Sequence, residues 1–126
     1  MSQENVELMR RLFAVYGEGT LMLERLDPEV ICHPADEVGM QGIDAVADYM
    51  KRWEQGWDDL KTVAEEFIDC GDQVLVTVHF SGRGRETGIA VDQRAYEVYT
   101  LRDGLITRWD EFTDRAAALA AAGLSE

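Results

Sequence analysis

The chain has 126 residues, 25 of them acidic and 12 basic, which give it a net charge of −13. A chain of this length can bury its own core, so the sequence predicts a single domain over residues 1–126. The negative charge repels phosphate backbones and anionic headgroups, and no apolar run is long enough to span a bilayer. We therefore expect no nucleic-acid or membrane partner, and a cytoplasmic protein in which Cys32 and Cys70 are reduced thiols.

The beginning of the chain has helical periodicity. Apolar residues recur at spacings of three and four from Val6 to Tyr16, and Ser2 can cap a helix that starts at Gln3. Gly17 and Gly19 are expected to end it. These features predict an amphipathic first helix.

Two further helices and a short strand are predicted next. Thr20 can cap a helix over residues 21–26, which should end before Pro28 because proline disfavours helical geometry in the preceding residue. A brief strand from Glu29 to His33 follows, and a long helix begins after Gly42. The apolar stripe predicted for this long helix consists of Val46, Tyr49, Met50, Trp53 and Trp57.

From Leu60 onward the hydrophobic period changes to that of strands. The predicted strands are Leu60 to Asp69, Gln73 to Gly82, Ile89 to Leu101 and Leu105 to Thr113. Asp103-Gly104 predicts a type I′ hairpin, because both residues tolerate positive φ. Asp114 can cap a last helix through Ala122. Helices followed by an antiparallel meander indicate an α+β domain, with the long helices across one face of a curved sheet.

This order of elements, together with three motifs, resembles the SnoaL-like branch of the nuclear transport factor 2-like superfamily. The motifs are the Leu101-Arg-Asp-Gly104 hairpin, Trp109-Asp-Glu-Phe-Thr-Asp114, and His33-Pro34 at the end of the first strand. The resemblance covers essentially the whole chain. It implies a cone in which a curved antiparallel β-sheet wraps around N-terminal helices and encloses an internal apolar pocket. Family members include ketosteroid isomerases, polyketide cyclases and proteins without chemistry, so function must be argued from the site.

His33 is the predicted general base. It ends the first strand, where the ketosteroid isomerase relatives carry a carboxylate base before a proline, and histidine suits proton abstraction near neutral pH. The alternative is a histidine at the cavity mouth that hydrogen-bonds a loop carbonyl. Cys32 is expected on the opposite face of the strand, which disfavours a Cys-His nucleophilic pair.

Glu97 is the predicted acid or hydrogen-bond donor. The resemblance places it near the protonated carboxylic acid with which the isomerase relatives stabilise a developing enolate. Burial in an apolar cone would raise the pKa of its carboxyl group. The relatives' second donor, a tyrosine on the first helix, is replaced by Leu12, with Tyr16 one turn later. A solvated position near the end of the strand is the alternative for Glu97.

Glu111 is the second predicted acid. It stands where epoxide-hydrolase relatives carry the central aspartate of a Trp-Arg-Asp-Tyr-Phe-Asp sequence. Those relatives also need an Arg-x-Asp pair on the strand from Val74 to Ser81, where this chain has Val78 and Phe80, so epoxide hydrolysis is not expected. A slip of one residue would turn Glu111 outward. We expect Trp109 and Glu111 to face inward, where two neighbouring carboxyl groups can act as an acid and a base.

The predicted function is to bind a small apolar, carbonyl-bearing molecule and move a proton, as an isomerase, cyclase or dehydratase would. The catalytic residues would be His33, Glu97 and Glu111. The residues predicted to line the ligand pocket are Leu12, Tyr16, Trp53, Val76, Val78, Tyr99 and Trp109. The alternative is a non-catalytic ligand-binding or dimerising module of the same fold.

No cofactor is implied, because the two histidines and the distant cysteines give no metal cluster of recognisable spacing. His79 is expected on the outer face of the sheet. The resemblance also implies a homodimer through that face, where Leu75, Tyr96 and Val98 would supply apolar surface.

Overall fold

The computed structural model describes residues 2–14, 21–35 and 37–124. The helices in these ranges are α1 Ser2–Ala14, α2 Leu21–Glu24, α3 Ile43–Gln55 and α4 Arg115–Ala121. The strands are β1 Leu26–His33, β2 Met40–Gln41, β3 Trp57–Asp69, β4 Gln73–Gly84, β5 Ala90–Arg102 and β6 Leu105–Phe112. Within the described residues, no helix is long and apolar enough to cross a membrane.

The six strands form one sheet in the order β2-β1-β6-β5-β4-β3. The strands from β3 to β6 pair antiparallel with their neighbours in sequence, which confirms the predicted meander. The strand β1 pairs antiparallel with β2 but parallel with β6, so the sheet is mixed. Three helices precede the long meander along the chain, and the architecture is the α+β class predicted from the sequence.

The main core lies between the helices and the inner face of the sheet. The helix α1 packs on β3 and β4, while α3 packs on β1, β2 and β3. Met9 and Leu12 of α1 are at most 1% exposed, and Val74 and Val76 of β4 are fully buried beneath the helices. Alternation along β4 therefore directs every second side chain into this core. The later part of the predicted first helix, including Tyr16 and its glycine stop, lies outside the described residues.

The predicted second helix is too long. The helix α2 ends at Glu24, and residues 26–28 already belong to β1. A residue before proline prefers extended geometry, and a proline is tolerated in a strand where the pairing is irregular. The pairing of β1 with β6 shifts register between Leu26 and Ile31. Pro28 therefore lies within β1. Because proline favours extended geometry in the residue before it, Pro28 is compatible with the start of a strand as well as with the end of a helix.

The predicted position of Trp57 on the long helix is wrong. The helix α3 ends at Gln55, where the Gly56 N–H donates to the Trp53 carbonyl at 3.2 Å, and Trp57 begins β3. The rings of Trp53 and Trp57 nevertheless pack together, with centroids 5.2 Å apart. The aromatic surface of the helix thus continues onto the strand.

Two local predictions near the end of the chain are confirmed. Asp103 and Gly104 have φ values of 53° and 79°, as a type I′ turn requires. The Ala117 N–H donates to Asp114 Oδ2 at 3.0 Å, so Asp114 is the N-cap of α4. Turn and cap bring α4 back onto β5 and β6.

The helix α4 covers part of the outer face of the sheet. Leu75 and Val98 are at most 1% exposed because they pack against apolar residues of α4, including Leu119. They are therefore unavailable as the dimer surface expected from the sequence, and that expectation is wrong for these two residues. His79 does lie on the outer face, where its Nε2 is 2.6 Å from Asp92 Oδ1.

Candidate functional site

Two glutamates face each other across the inner side of the sheet. Glu97 on β5 is directly paired in register with Glu111 on β6, and Tyr99 is paired with Trp109 two residues further along. Side chains two residues apart on a strand share a face, so these four side chains form one patch. The strand phase of β6 is the one that places Trp109 and Glu111 inward.

Glu97 is almost completely buried, with 7% of its surface exposed. The hydroxyl group of Tyr99 donates a hydrogen bond to Glu97 Oε1. Burial, and then the neighbouring charge of Glu111, raise the pKa of Glu97 well above its ordinary value, although the Tyr99 hydrogen bond acts in the opposite direction. The raised pKa favours the neutral form of Glu97, which can donate a hydrogen bond.

Glu111 is half-buried and is held by the start of the loop after β1. The backbone N–H of Ala35 donates to Glu111 Oε1 at 3.1 Å. A hydrogen bond between the side chains of Glu97 and Glu111 further favours the protonated form of Glu97. The two carboxyl groups thus lie side by side.

A small inner cavity of about 30 Å³ borders this pair. Its apolar walls are Tyr49, Met50, Trp53, Val78, Phe80 and Trp109, and its polar groups are Thr62, Glu97 and Glu111. A water molecule needs about 10–15 Å³ of such free space. The inner cavity therefore admits a group the size of a carbonyl and excludes a ring.

An outer cavity of about 270 Å³ adjoins the inner one and shares Trp53, Phe80 and Glu111 with it. Its other lining residues are Ala35, Trp57, Val91, Gln93, Arg94, Ala95 and Thr113. Sites for small organic molecules start at about 300 Å³. The two cavities together can hold a ring-sized molecule whose smaller end reaches the two glutamates.

Trp109 contributes both a ring and an unused donor. Its ring stacks on Tyr99 with centroids 5.5 Å apart. Its side chain is 5% exposed, yet Nε1 has no hydrogen-bond partner among the described residues. A buried donor without a partner costs about 1–3 kcal/mol. Since Trp109 lines the inner cavity, an acceptor atom of a bound molecule can supply the missing partner.

The expected phase of β1 is reversed, which removes His33 from the group. Cys32 pairs with inward-facing Trp109 and is 1% exposed, whereas His33 pairs with Asp110 and is exposed. His33 lines neither cavity. Its predicted convergence with the two glutamates is therefore wrong, because adjacent residues of a strand face opposite sides.

Cys32 instead faces the interior near the two glutamates. Burial, followed by the charges of Glu97 and Glu111, raises the pKa of the Cys32 thiol to about 12. The thiol is protonated and unreactive under physiological conditions. Cys32 and Cys70 are both free, and among the described residues no group of three or more His, Cys, Asp or Glu side chains could hold a metal ion.

The predicted pocket residues divide into three groups. Trp53, Val78 and Trp109 line the inner cavity. Leu12, Val76 and Tyr99 are buried in the core, where Tyr99 reaches the site through its hydrogen bond to Glu97. Tyr16 lies outside the described residues.

Several lining residues were not among the predicted ligand contacts. Phe80 lines both cavities, and its position two residues after inward-facing Val78 was a signal in the sequence. Tyr49 and Met50 were identified only as part of an apolar helix stripe. Ala35 had no distinguishing sequence feature, because it acts through its backbone N–H.

The fold defines a class of proteins in which helices pack on one face of a curved six-stranded sheet. The SnoaL-like domain family matches residues 9–109. The chain belongs to this family. A comparison with curated proteins gives no match.

Solved structures share the fold across nearly the whole chain. A candidate SnoaL-like polyketide cyclase from Jannaschia sp. CCS1 is 24% identical with a TM-score of 0.79, over 98% of this chain and 94% of that one. An NTF2-like protein from Burkholderia thailandensis E264 is 20% identical with a TM-score of 0.79, over 94% and 95% of the chains. A ketosteroid isomerase-like fold from Catenulispora acidiphila DSM 44928, in complex with trimethylamine, is 16% identical with a TM-score of 0.73, over 94% and 93%.

Proposed function

We propose that this protein binds a small, largely apolar carbonyl compound and transfers a proton on it without a cofactor, as an isomerase, cyclase or dehydratase does. The observation that carries the proposal is the Glu97–Glu111 pair, in which a carboxyl group with a raised pKa lies beside a second carboxyl group at the end of an aromatic cavity. An acid and a base held together suit removal of a proton next to a carbonyl group.

Glu111 is the base in this proposal. Its carboxylate group takes a proton from the carbon next to the carbonyl, and the electrons of the broken C–H bond form an enolate. The Trp109 indole N–H donates a hydrogen bond to the enolate oxygen, and Glu97 donates a second, because its O–H is released from Glu111 once Glu111 is protonated. Glu111 then returns the proton to the same carbon or to a conjugated one, which restores the carboxylate and completes an exchange or an isomerisation.

The cavity dimensions orient the ligand. The inner cavity admits only a carbonyl-sized group, while the outer cavity takes the apolar body of the molecule. The carbonyl is therefore directed toward Glu97 and Trp109, and the aromatic walls hold the rest.

The test is exchange of α-protons in D₂O, followed by proton NMR with 2-tetralone as an enolisable apolar ketone. We expect the protein to accelerate the exchange and Glu111→Gln to slow it at least about 100-fold, the usual contribution of a general base. Glu86→Gln changes the net charge equally at an exposed turn and should leave the rate unaltered. His33→Ala should also leave it unaltered, since His33 lines neither cavity. Equal rates for Glu111→Gln and the unaltered protein would overturn the role of Glu111.

A second candidate function is ligand binding without turnover. The outward position of His33 favours it, because only two of the three predicted ionisable groups border the cavity. The Catenulispora acidiphila structure contains trimethylamine, a ligand without a carbonyl group. Protection of the protein against thermal unfolding by ketones that undergo no accelerated exchange would support this second function.

A further inference from the structure

Three aromatic rings meet at a corner of the outer cavity. Trp53 comes from the last turn of α3, Trp57 from the start of β3 and Phe80 from β4. Their centroids are 5.2 to 6.1 Å apart and their planes are inclined by 59° to 78° to one another. All three side chains are half-buried and line the cavity. We call these residues the aromatic corner.

The ring of Trp57 is held in place by close packing on Gly82. A Cβ atom at Gly82 would lie only 3.3 Å from Cε3 of Trp57 and 3.3 Å from the Asp58 carbonyl oxygen. The absence of a side chain at position 82 thus lets the ring lie against β4. The Trp57 ring is therefore preorganised, because little side-chain entropy is lost when a ligand binds against it.

The charge beside the aromatic corner is negative. Glu111 lines the same cavity. The cationic side chain in the lining is Arg94, and its guanidinium group binds both carboxylate oxygens of Glu65, at 2.6 and 3.1 Å. The neighbouring acidic charges also help to raise the pKa of Cys32. An anion in the outer cavity would therefore be repelled, and a cation attracted.

We propose that the ligand of this pocket carries an alkylammonium group, which sits against Trp53, Trp57 and Phe80 within the field of Glu111. The faces of aromatic rings attract a cation, and the attraction is strongest where water is excluded. An alkylammonium group also has an apolar surface that suits half-buried rings. This inference rests on the proposed function, which places the ligand in the two cavities. It further specifies that the end of the ligand in the outer cavity is a cationic alkylammonium group.

The experiment compares three molecules of similar size that differ in charge. They are the (2-hydroxyethyl)trimethylammonium cation, its uncharged isostere 3,3-dimethylbutan-1-ol, and the 3,3-dimethylbutanoate anion. Dissociation constants are measured by isothermal titration calorimetry at constant ionic strength. We expect the cation to bind at least about tenfold more tightly than the alcohol, and the anion to bind more weakly than either. Equal affinities for the cation and the alcohol would overturn the proposal.

Matched variants separate the pocket from the general charge of the protein. Glu111→Gln should weaken cation binding, whereas Glu86→Gln, at an exposed turn, should not. Trp53→Leu should weaken it about tenfold, and Trp53→Phe should retain most of it because an aromatic face remains. Equal losses in the two glutamine variants would assign the binding to overall charge and contradict the proposed site.

Failure of the ammonium inference can be distinguished from failure of the proposed function. If 2-tetralone undergoes accelerated exchange while the cation has no advantage over the alcohol, the ammonium inference fails and the proton-transfer proposal stands. If the cation binds at the aromatic corner but no ketone undergoes exchange, the inference stands and the pocket is a binding site. If neither effect occurs, both proposals fail.

Discussion

The hydroxyl group of Tyr99 donates a hydrogen bond to the carboxyl group of Glu97, two residues earlier on the same face of β5. Tyr99 itself is fully buried and is stacked on Trp109. This hydrogen bond favours the ionised form of Glu97, while burial and Glu111 favour the neutral form. Burial is the largest of these effects, so the pKa of Glu97 is raised overall and the Tyr99 hydrogen bond limits the rise.

Replacing Tyr99 by Phe should therefore raise the pKa of Glu97 further. The substitution removes the donor and leaves the ring that stacks on Trp109. Titration of carboxyl-labelled Glu97 by ¹³C NMR measures the change, and we also expect a loss of about 1 kcal/mol in the free energy of unfolding. Tyr96→Phe, on the outer face of the same strand, is the control. A lowered pKa in the Tyr99 variant would contradict the hydrogen-bond direction.

The buried Glu97 should also make stability depend on pH. Its pKa is higher in the folded than in the unfolded protein, where it is near 4.5. The folded state thus holds this proton more tightly, and the resulting stabilisation is present below pH 4.5 and is lost as the pH rises through the folded-state value. Glu97→Gln lacks this titration. The variant should therefore gain stability relative to the unaltered protein as the pH rises above 4.5.

Urea unfolding at a series of pH values measures this difference. For the control variant Glu86→Gln, the difference in the free energy of unfolding from the unaltered protein should change little over the same pH range, because Glu86 lies at an exposed turn. If the difference for Glu97→Gln is also constant, the pKa of Glu97 is not raised on folding.

Local signals in the sequence predicted the end of the chain well. The Asp103-Gly104 turn and the Asp114 cap depend on neighbouring backbone geometry, which is encoded within a few residues. The alternation of β6 then carried Trp109 and Glu111 to the inner face together. The pairing of Glu97 with Glu111 also depends on the register shift between Thr100 and Leu101, because the two-residue turn alone would place Glu97 opposite Asp110.

The phase of β1 could not be predicted in the same way. Whether Cys32 or His33 faces inward depends on the parallel pairing of β1 with β6, which are far apart in the sequence. The short strand has apolar residues on both faces, since Ile31 is 37% exposed while Val30 is fully buried.

Trp57 lies on a strand and not on the predicted helix for a comparable reason. The pairing of β3 with β4 begins at Trp57, opposite Gly84, and this long-range pairing overrides the helical spacing.

The two cysteines should differ sharply in reactivity. Cys32 is 1% exposed and its thiol has a pKa of about 12, so it forms almost no thiolate at pH 8. In a Cys70→Ala variant, we expect no reaction with an aromatic disulfide reagent under native conditions and complete reaction in urea. The Cys32→Ala variant should react natively, because Cys70 is only half-buried. Rapid native labelling of Cys32 would contradict its inward position.

The Asp114 cap is expected to stabilise the cover over the outer face of the sheet. Asp114→Ala removes the acceptor for the Ala117 N–H and should lower the free energy of unfolding by about 1 kcal/mol. Asp114→Asn retains a side-chain acceptor and should lose much less. Because α4 buries Leu75 and Val98, partial release of the helix would expose apolar surface. Urea unfolding measures the stability, and sedimentation velocity measures any association that the exposed surface causes. Equal stability of the alanine and asparagine variants would show that the cap contributes little to holding α4 on the sheet.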